Sequence, residues 1–383
     1  MLAPRAMEGE ACTAQRAPSR WEARLEFTGD GAEYFRIWVV NLLFSFVTLG
    51  IYSAWAKARK TRYFWLNTRL EGFAFDYHGN PGAILRGRLV ALVLLAAYTW
   101  TFQLSVAAGV VTICLLCALG PWLFMKAQQF KLRSTSYRGV RFEFDADIPA
   151  AYKTILPVLL VWFSTTILSV AFDESAPFMI ALGIGVLLSY PWMHHTLKRY
   201  QHSRAGFGGR TFRITPDLVG FYGVYLLGFL LFLLVGVLAG LMSGILITAV
   251  ASSTGVDPRH SRLLGSLVGG FLALSVYTFV WPYMAARLQK IVWESTRWGD
   301  TRFRNEIAFK PLAGVVLRNV VLTLLTLGLY WPFAAVALAR YRVESLVVVS
   351  KDSLGTVTQE IAAPGTGVTG EGAADLFGLD IGL

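Results

Sequence analysis

An apolar run from Asn41 to Tyr52, followed by Ala54-Trp55, then Lys57, Arg59, Lys60 and Arg62, then Tyr63 and Asn67-Thr68, sets a pattern that returns along this chain. Each return places a long apolar segment beside an aromatic and a basic cluster. In a membrane that succession has a physical reading. A bilayer core takes roughly 20 apolar residues, Trp and Tyr suit the headgroup level, and Lys or Arg just beyond holds the helix end at the membrane face. Only 15% of the 383 residues are charged, against about a quarter in soluble domains, and the mean hydropathy is +0.51. The net charge of +11 is concentrated at the ends of apolar segments. This fits the bilayer and its anionic phospholipid headgroups as partners and argues against nucleic acid.

The repetition can be counted. Taking Trp55, Trp122, Trp192 and Tyr283 as origins, Pro precedes the last three. Thirteen residues on stand Thr68, Thr135, Ala205 and Thr296, and twenty residues on stand Phe75, Phe142, Phe212 and Phe303. Gly72, Gly139 and Gly209 share a further register, where the fourth copy has Asp300, with Gly299 one place early. Alternation such as Phe73-Ala74-Phe75-Asp76-Tyr77 predicts a β-hairpin in the polar loop. The two ends also match, because Asn41 with Thr48-Leu49-Gly50-Ile51-Tyr52 mirrors Asn319 with Thr326-Leu327-Gly328-Leu329-Tyr330.

These features predict an all-α membrane protein: a polytopic helical bundle with internal repeats and small cytoplasmic β-hairpin elements. The boundaries expected are a disordered leader over 1–22, a repeat-built transmembrane domain over 23–345, and a disordered tail over 350–383. Apolar segments lie near 36–56, 84–107, 108–127, 153–172, 177–195, 217–248, 263–286 and 312–338. The four polar loops carry the Lys and Arg, so they are expected in the cytoplasm. Each terminal segment either crosses once, leaving both chain ends outside, or turns back around Thr-Leu-Gly, leaving both inside.

The block Glu33-Tyr34-Phe35-Arg36-Ile37-Trp38, Asn41, Thr48-Leu49-Gly50-Ile51-Tyr52, Trp55-Ala56-Lys57, Arg62-Tyr63, Asn67-Thr68 and Gly72-Phe73-Ala74-Phe75 resembles the YjgN-like bacterial inner-membrane proteins, a family of unknown function. The likeness extends over roughly 25–345, with later copies looser than the first. Ala54 stands where other copies have Pro. The resemblance implies a bacterial inner-membrane location and carries no catalytic residue across.

Candidate chemistry is sparse. His194-His195 with His202 cannot all face one ion on a regular helix and has no acid or thiol at ligand spacing, so an interfacial helix end is expected and no metal. Cys114 and Cys117 lie in an apolar run and read as packing. Gly206-Phe207-Gly208-Gly209 lacks the lysine and context of a phosphate loop and reads as a tight turn. No nucleophile and base stand at usable spacing, so neither an enzyme nor a cofactor is expected. The six full spans are almost free of ionisable groups at their centres, which counts against ion-coupled carriers. Asn41 and Asn319 are the intramembrane polar candidates, for hydrogen bonding between helices or for substrate contact. Lys57, Arg59, Lys60, Arg62, Lys126, Lys198, Arg199 and Arg287 are the candidate headgroup-binding residues. Gly236, Gly240 and Gly244, with Gly265 and Gly269, are expected to pack two helices of a hairpin closely. The functional expectation is passage of a small neutral or apolar solute, with a non-catalytic, lipid-associated scaffold as the alternative.

Overall fold

Lipid offers no partner to backbone N–H and C=O groups, so each apolar segment must satisfy its own. The computed structural model describes residues 21–171, 176–254 and 258–351, and is mostly helical. The first apolar segment is two helices, α1 (Gly31–Val47) and α2 (Ser53–Leu66). Then come α3 (Pro81–Leu104), α4 (Val106–Arg133), α5 (Ile148–Ala171), α6 (Ala176–Ser203), α7 (Leu218–Thr254) and α8 (Pro258–Glu294), each containing a stretch long and apolar enough to cross a membrane. The last segment is again two helices, α9 (Phe309–Leu325) and α10 (Trp331–Glu344).

Both terminal segments therefore turn back, and the Thr-Leu-Gly signature shows why. Leu49 and Gly50 take φ of 50° and 89°, and Leu327 and Gly328 take 50° and 94°. Such left-handed positions end a helix and favour glycine. The Thr48 hydroxyl donates to Phe44 O at 2.7 Å and accepts from the Tyr52 N–H at 2.9 Å. Thr326 does the same with Leu322 O and the Tyr330 N–H. One hydroxyl thus closes the outgoing helix and starts the returning one. Leu49 and Leu327, each 95% exposed, form the apolar tips.

The strands are β1 (Trp21–Arg24), β2 (Glu26–Phe27), β3 (Thr68–Leu70), β4 (Phe73–Tyr77), β5 (Thr135–Tyr137), β6 (Val140–Phe144), β7 (Ala205–Phe207), β8 (Arg210–Thr211), β9 (Arg213–Ile214), β10 (Thr296–Trp298), β11 (Thr301–Asn305) and β12 (Leu346–Ser350). They pair antiparallel in the orders β1-β12-β11-β10-β9 and β2-β3-β4-β5-β6-β7-β8. The two sheets share their ends. β1 and β2 are one strand interrupted at Leu25, whose N–H reaches Leu346 O at 3.1 Å, and β8 and β9 are one strand interrupted at Phe212, whose N–H reaches Ala205 O at 2.8 Å. The described strands consequently join into one closed ring, each of the two shared strands pairing with one neighbour in its first half and another in its second.

One backbone bond recurs around that ring, from a residue leaving the strands to the end of a neighbouring helix. It joins Thr28 N to Asn67 O, His78 N to Ser134 O, Asp145 N to Arg204 O, Thr215 N to Ser295 O, and Glu306 N to Ser345 O. The hairpin turns explain the shared glycine register. Glu71-Gly72 and Arg138-Gly139 both take positive φ, as two-residue hairpin loops require, and Gly299 takes it one place earlier. The helices come round as well, since each packs on its chain neighbour and α10 packs on α1.

Several expected boundaries shift. Trp21 and Glu22, assigned to the leader, lie in β1; Ser350 ends β12, and Lys351 pairs with Asp300 at 3.0 Å. The rest of the leader and tail lies outside the described residues. The basic stretch after Trp122 stays helical to Arg133, because Lys, Gln, Leu and Arg are all good helix formers. With β1 and β12 both in the ring, Trp21 and Lys351 lie on its side. In a background with Cys12, Cys114 and Cys117 replaced by Ser, single cysteines at Glu26, Asp300 and Lys351 are expected to react with an impermeant thiol reagent from one and the same membrane face.

Candidate functional site

Inside the strand ring lies a cavity of about 870 Å³. Strand alternation sends successive side chains to opposite faces, and the counted registers fall on the inner one. Phe75, Phe142, Phe212 and Phe303 line the cavity; so do Thr68, Thr135, Ala205 and Thr296; so do Trp65, Leu132, His202 and Trp293, three residues earlier on the helix ends. Leu25 and Leu346 line it where the chain ends meet.

Ring contacts tie this wall together. Phe75 and Tyr137 lie with centroids 4.8 Å apart, as do Phe142 and Phe207, and Phe207 lies 5.7 Å from Trp298. Trp298 Nε1 donates to Phe207 O and Arg210 O, both at 3.2 Å, and the Tyr137 hydroxyl donates to Leu70 O at 2.9 Å. The hydroxyls of Thr68, Thr135 and Thr296 each donate to a carbonyl four residues back. Those threonines therefore seal helix ends. Burial pushes the Tyr77 phenol up to about 12 and raises that of Tyr137.

The polar part of the wall is small and one-signed. Gln128, Gln201 and Asn319 line the cavity, are buried, and carry amide oxygens without a hydrogen-bond partner. An unpaired buried polar atom costs about 1–3 kcal/mol, so these amides, which carry both C=O and N–H groups, favour a ligand with a hydrogen-bonding group. The charged lining consists of Lys57, Lys60, Lys131 and Arg342, with no Asp or Glu among the described residues that line it. Away from the strands the cavity reaches Leu274 and Tyr277 on α8, and Thr323, Leu324 and Trp331 at the α9–α10 turn.

The candidates read from sequence divide between this cavity and the surface. Asn319 lines it and donates to Ala334 O at 3.1 Å, across its own helical hairpin. Asn41 is equally buried, with an unpartnered amide oxygen, but does not line the cavity. Lys57, half-buried, and Lys60, exposed, stand in the cavity wall; Arg59, Arg62, Arg199 and Arg287 are exposed and do not line it, Arg62 lying 3.8 Å from Asp76. Lys126 reaches Gln129 at 3.3 Å and Lys198 is half-buried.

The close-packing expectation for the glycines is not met within this chain. A Cβ built on Gly236, Gly240, Gly244 or Gly269 meets no atom within 4 Å, because α7 and α8 approach each other on other faces; the surroundings of Gly265 lie outside what is described. His194 Nδ1 lies 2.8 Å from the Tyr225 hydroxyl and His195 Nε2 lies 3.1 Å from Pro216 O, so hydrogen bonding occupies these rings. Gln128 and Gln201 escape a sequence reading. Gln128 shares with Gln289 a six-residue offset from its origin, a usable signal, but Gln201 stands outside that register. Also missed is a row on the outer strand face, where Arg297 stands directly opposite both Arg213 and Arg302.

The family described as bacterial protein of unknown function (DUF898) matches residues 22–376. Among curated proteins, Inner membrane protein YjgN of Salmonella typhimurium (strain LT2) is 34% identical over 140 residues, covering 36% of this chain and 35% of that protein. The protein of the same name from Escherichia coli (strain K12) is 28% identical over 210 residues, covering 50% of this chain and 52% of that one. The chain thus spans between about a third and a half of the length of these relatives. No solved structure matches.

Replacing Trp298 with Phe keeps the ring but removes the donor to the buried Phe207 carbonyl and to the partly buried Arg210 carbonyl. Destabilisation of about 1–3 kcal/mol is expected, read as a lowered thermal midpoint of the detergent-solubilised protein.

Proposed function

Because this chain belongs to the DUF898 family of bacterial proteins, and its relatives are named inner membrane proteins, we propose that it is a multi-pass inner-membrane protein that takes up a small, largely apolar solute in its central cavity and passes it on. On this reading the chain is a repeated, polytopic helical bundle. Six helices span, the two terminal hairpins dip only their tips into the lipid, and the strand ring lies in the cytoplasm. The carrying observation is the cavity itself, walled by Phe75, Phe142, Phe207, Phe212, Phe303 and Trp298. Its size falls in the range of about 300–1,000 Å³ usual for small-molecule sites, which are mostly apolar with a few placed polar groups. The reading involves no catalytic step.

A second reading, a scaffold that gathers anionic lipid, is favoured by the outer arginines. Like charges directly opposite on neighbouring strands are destabilising, and Arg213, Arg297 and Arg302 have no ion pair among the described residues. A bound anion would relieve that repulsion. The two readings separate experimentally. Thr135→Phe and Ala335→Phe fill the cavity from opposite sides, so each is expected to reduce saturable uptake of an apolar solute panel into proteoliposomes by roughly tenfold, about 1.4 kcal/mol. Replacing the three arginines by Gln is expected to leave that uptake intact. The reverse pattern, with uptake insensitive to the Phe variants and binding to anionic vesicles lost with the arginines, would make the scaffold the better account.

A further inference from the structure

The cavity is chemically polarised along its length. Three of its cations belong to the strand-side halves of their helices: Lys131 and Arg342 lie in the last turns of α4 and α10, and Lys60 lies in the second half of α2, with Lys57 one turn earlier on the same face. At the opposite end stand Leu274 and Tyr277 on α8, with Leu324 and Trp331 at the α9–α10 turn. Leu274 is twenty residues before the end of α8, so the cavity extends about 30 Å along that helix at 1.5 Å per residue. A long cavity with basic groups at one end and apolar groups at the other fits an elongated molecule with two unlike ends.

The short terminal hairpins give that molecule a route. α9 has 17 residues and α10 has 14, about 25 and 20 Å, whereas neighbouring α8 has 37, about 55 Å. The ring wall is therefore low where α9 and α10 turn. There the cavity ends beside Leu324, and Leu325 and Leu327 are 75% and 95% exposed. Leu274 and Tyr277 lie in the N-terminal half of the α8 stretch that is long and apolar enough to cross a membrane, the half away from the strands.

We propose that the cavity binds an anionic amphiphile, with its acidic head among Lys57, Lys60, Lys131 and Arg342 and its alkyl chain running toward Leu274, Tyr277 and Leu324, admitted from the bilayer over the α9–α10 turn. The inference rests on the reading of the cavity as a solute site and adds the charge, shape and direction of approach of the solute. Four cations, on α2, α4 and α10, and no carboxylate among the described residues that line the cavity attract an anion and repel a cation. The attraction is strengthened because a largely apolar enclosure screens charge less than water does. A phosphate or carboxylate head satisfies that chemistry, and the alkyl chain gains by leaving water for aromatic walls at about 25 cal/mol per Å² of apolar surface.

The test uses full-length protein in phosphatidylcholine nanodiscs and three probes with one chain: bromoundecyl phosphate, bromoundecanol and bromoundecylammonium. Bromine quenches Trp65, Trp293, Trp298 and Trp331 in the cavity wall. The phosphate probe is expected to quench at about tenfold lower concentration than the alcohol, about 1.4 kcal/mol, with the ammonium weakest. Lys60→Gln is expected to narrow that preference, Lys60→Gln with Lys131→Gln to narrow it further, and Lys60→Arg to retain it. Equal binding of all three probes overturns the anionic preference and leaves the solute cavity standing. Quenching by none of them overturns both. Inorganic phosphate that displaces the phosphate probe at equal concentration reduces the site to a simple anion site and overturns the amphiphile.

Discussion

Trp21–Arg24 pairs antiparallel with Val347–Ser350, and on this one contact between the ends of the chain the enclosure of the cavity depends. Without it Leu346 and Leu25 would open to water, β11 and β3 would lie near a free edge, and α1 would lose the strand that leads into its packing on α10. The pairing is supported beyond its backbone bonds. Arg304 holds Glu22 at 2.9 Å, and Arg24 reaches Glu306, so outward charges bridge β1 to β11 across β12. Such exposed pairs contribute little individually. The backbone ladder and the buried Leu25, Leu346 and Val348 supply most of the stability.

The cavity follows from the ring. Two-residue turns at Glu71-Gly72 and Arg138-Gly139 keep those hairpins tight, and Thr68, Thr135 and Thr296, at the ends of α2, α4 and α8, hydrogen-bond back to them, so inner residues stay in register from one hairpin to the next. Arg138 adds a link between consecutive turns, pairing with Glu71 at 2.7 Å and lying 4.0 Å over the Phe73 ring. Rigid aromatic walls come from this local chemistry. The few polar positions then set what the space accepts.

Much of this was legible in the chain, and the failures have physical causes. Residues at shared offsets, such as Phe75 with Phe303 or Thr68 with Thr296, do lie on one wall, because a fixed spacing from a helix end fixes both depth and face. The meeting of the two chain ends was not legible, since Leu25 and Leu346 replace the Phe and Thr of the other registers and no continuous segment joins them. Thr48-Leu49-Gly50 held the answer to whether the terminal segments cross or return. Hydropathy alone left it open, because a helical hairpin and a single span have the same apolar composition. The glycines at 236, 240 and 244 show the opposite limit: four-residue spacing identifies a smooth helix face but not whether a partner lies against it. Lys57 and Lys60 read as headgroup anchors from their place after an apolar run, and only the closure of the ring shows that they also line the cavity.

The account stands most directly on the pairing of the chain ends. In the cysteine-free background, Glu22→Cys with Val349→Cys places two thiols at directly opposed positions of β1 and β12. Mild oxidation in native membranes, followed by mass spectrometry, is predicted to find a disulfide joining the two ends of one chain. No crosslink between them, or a crosslink that forms only between two chains, would mean that the ring is open and the cavity is not enclosed.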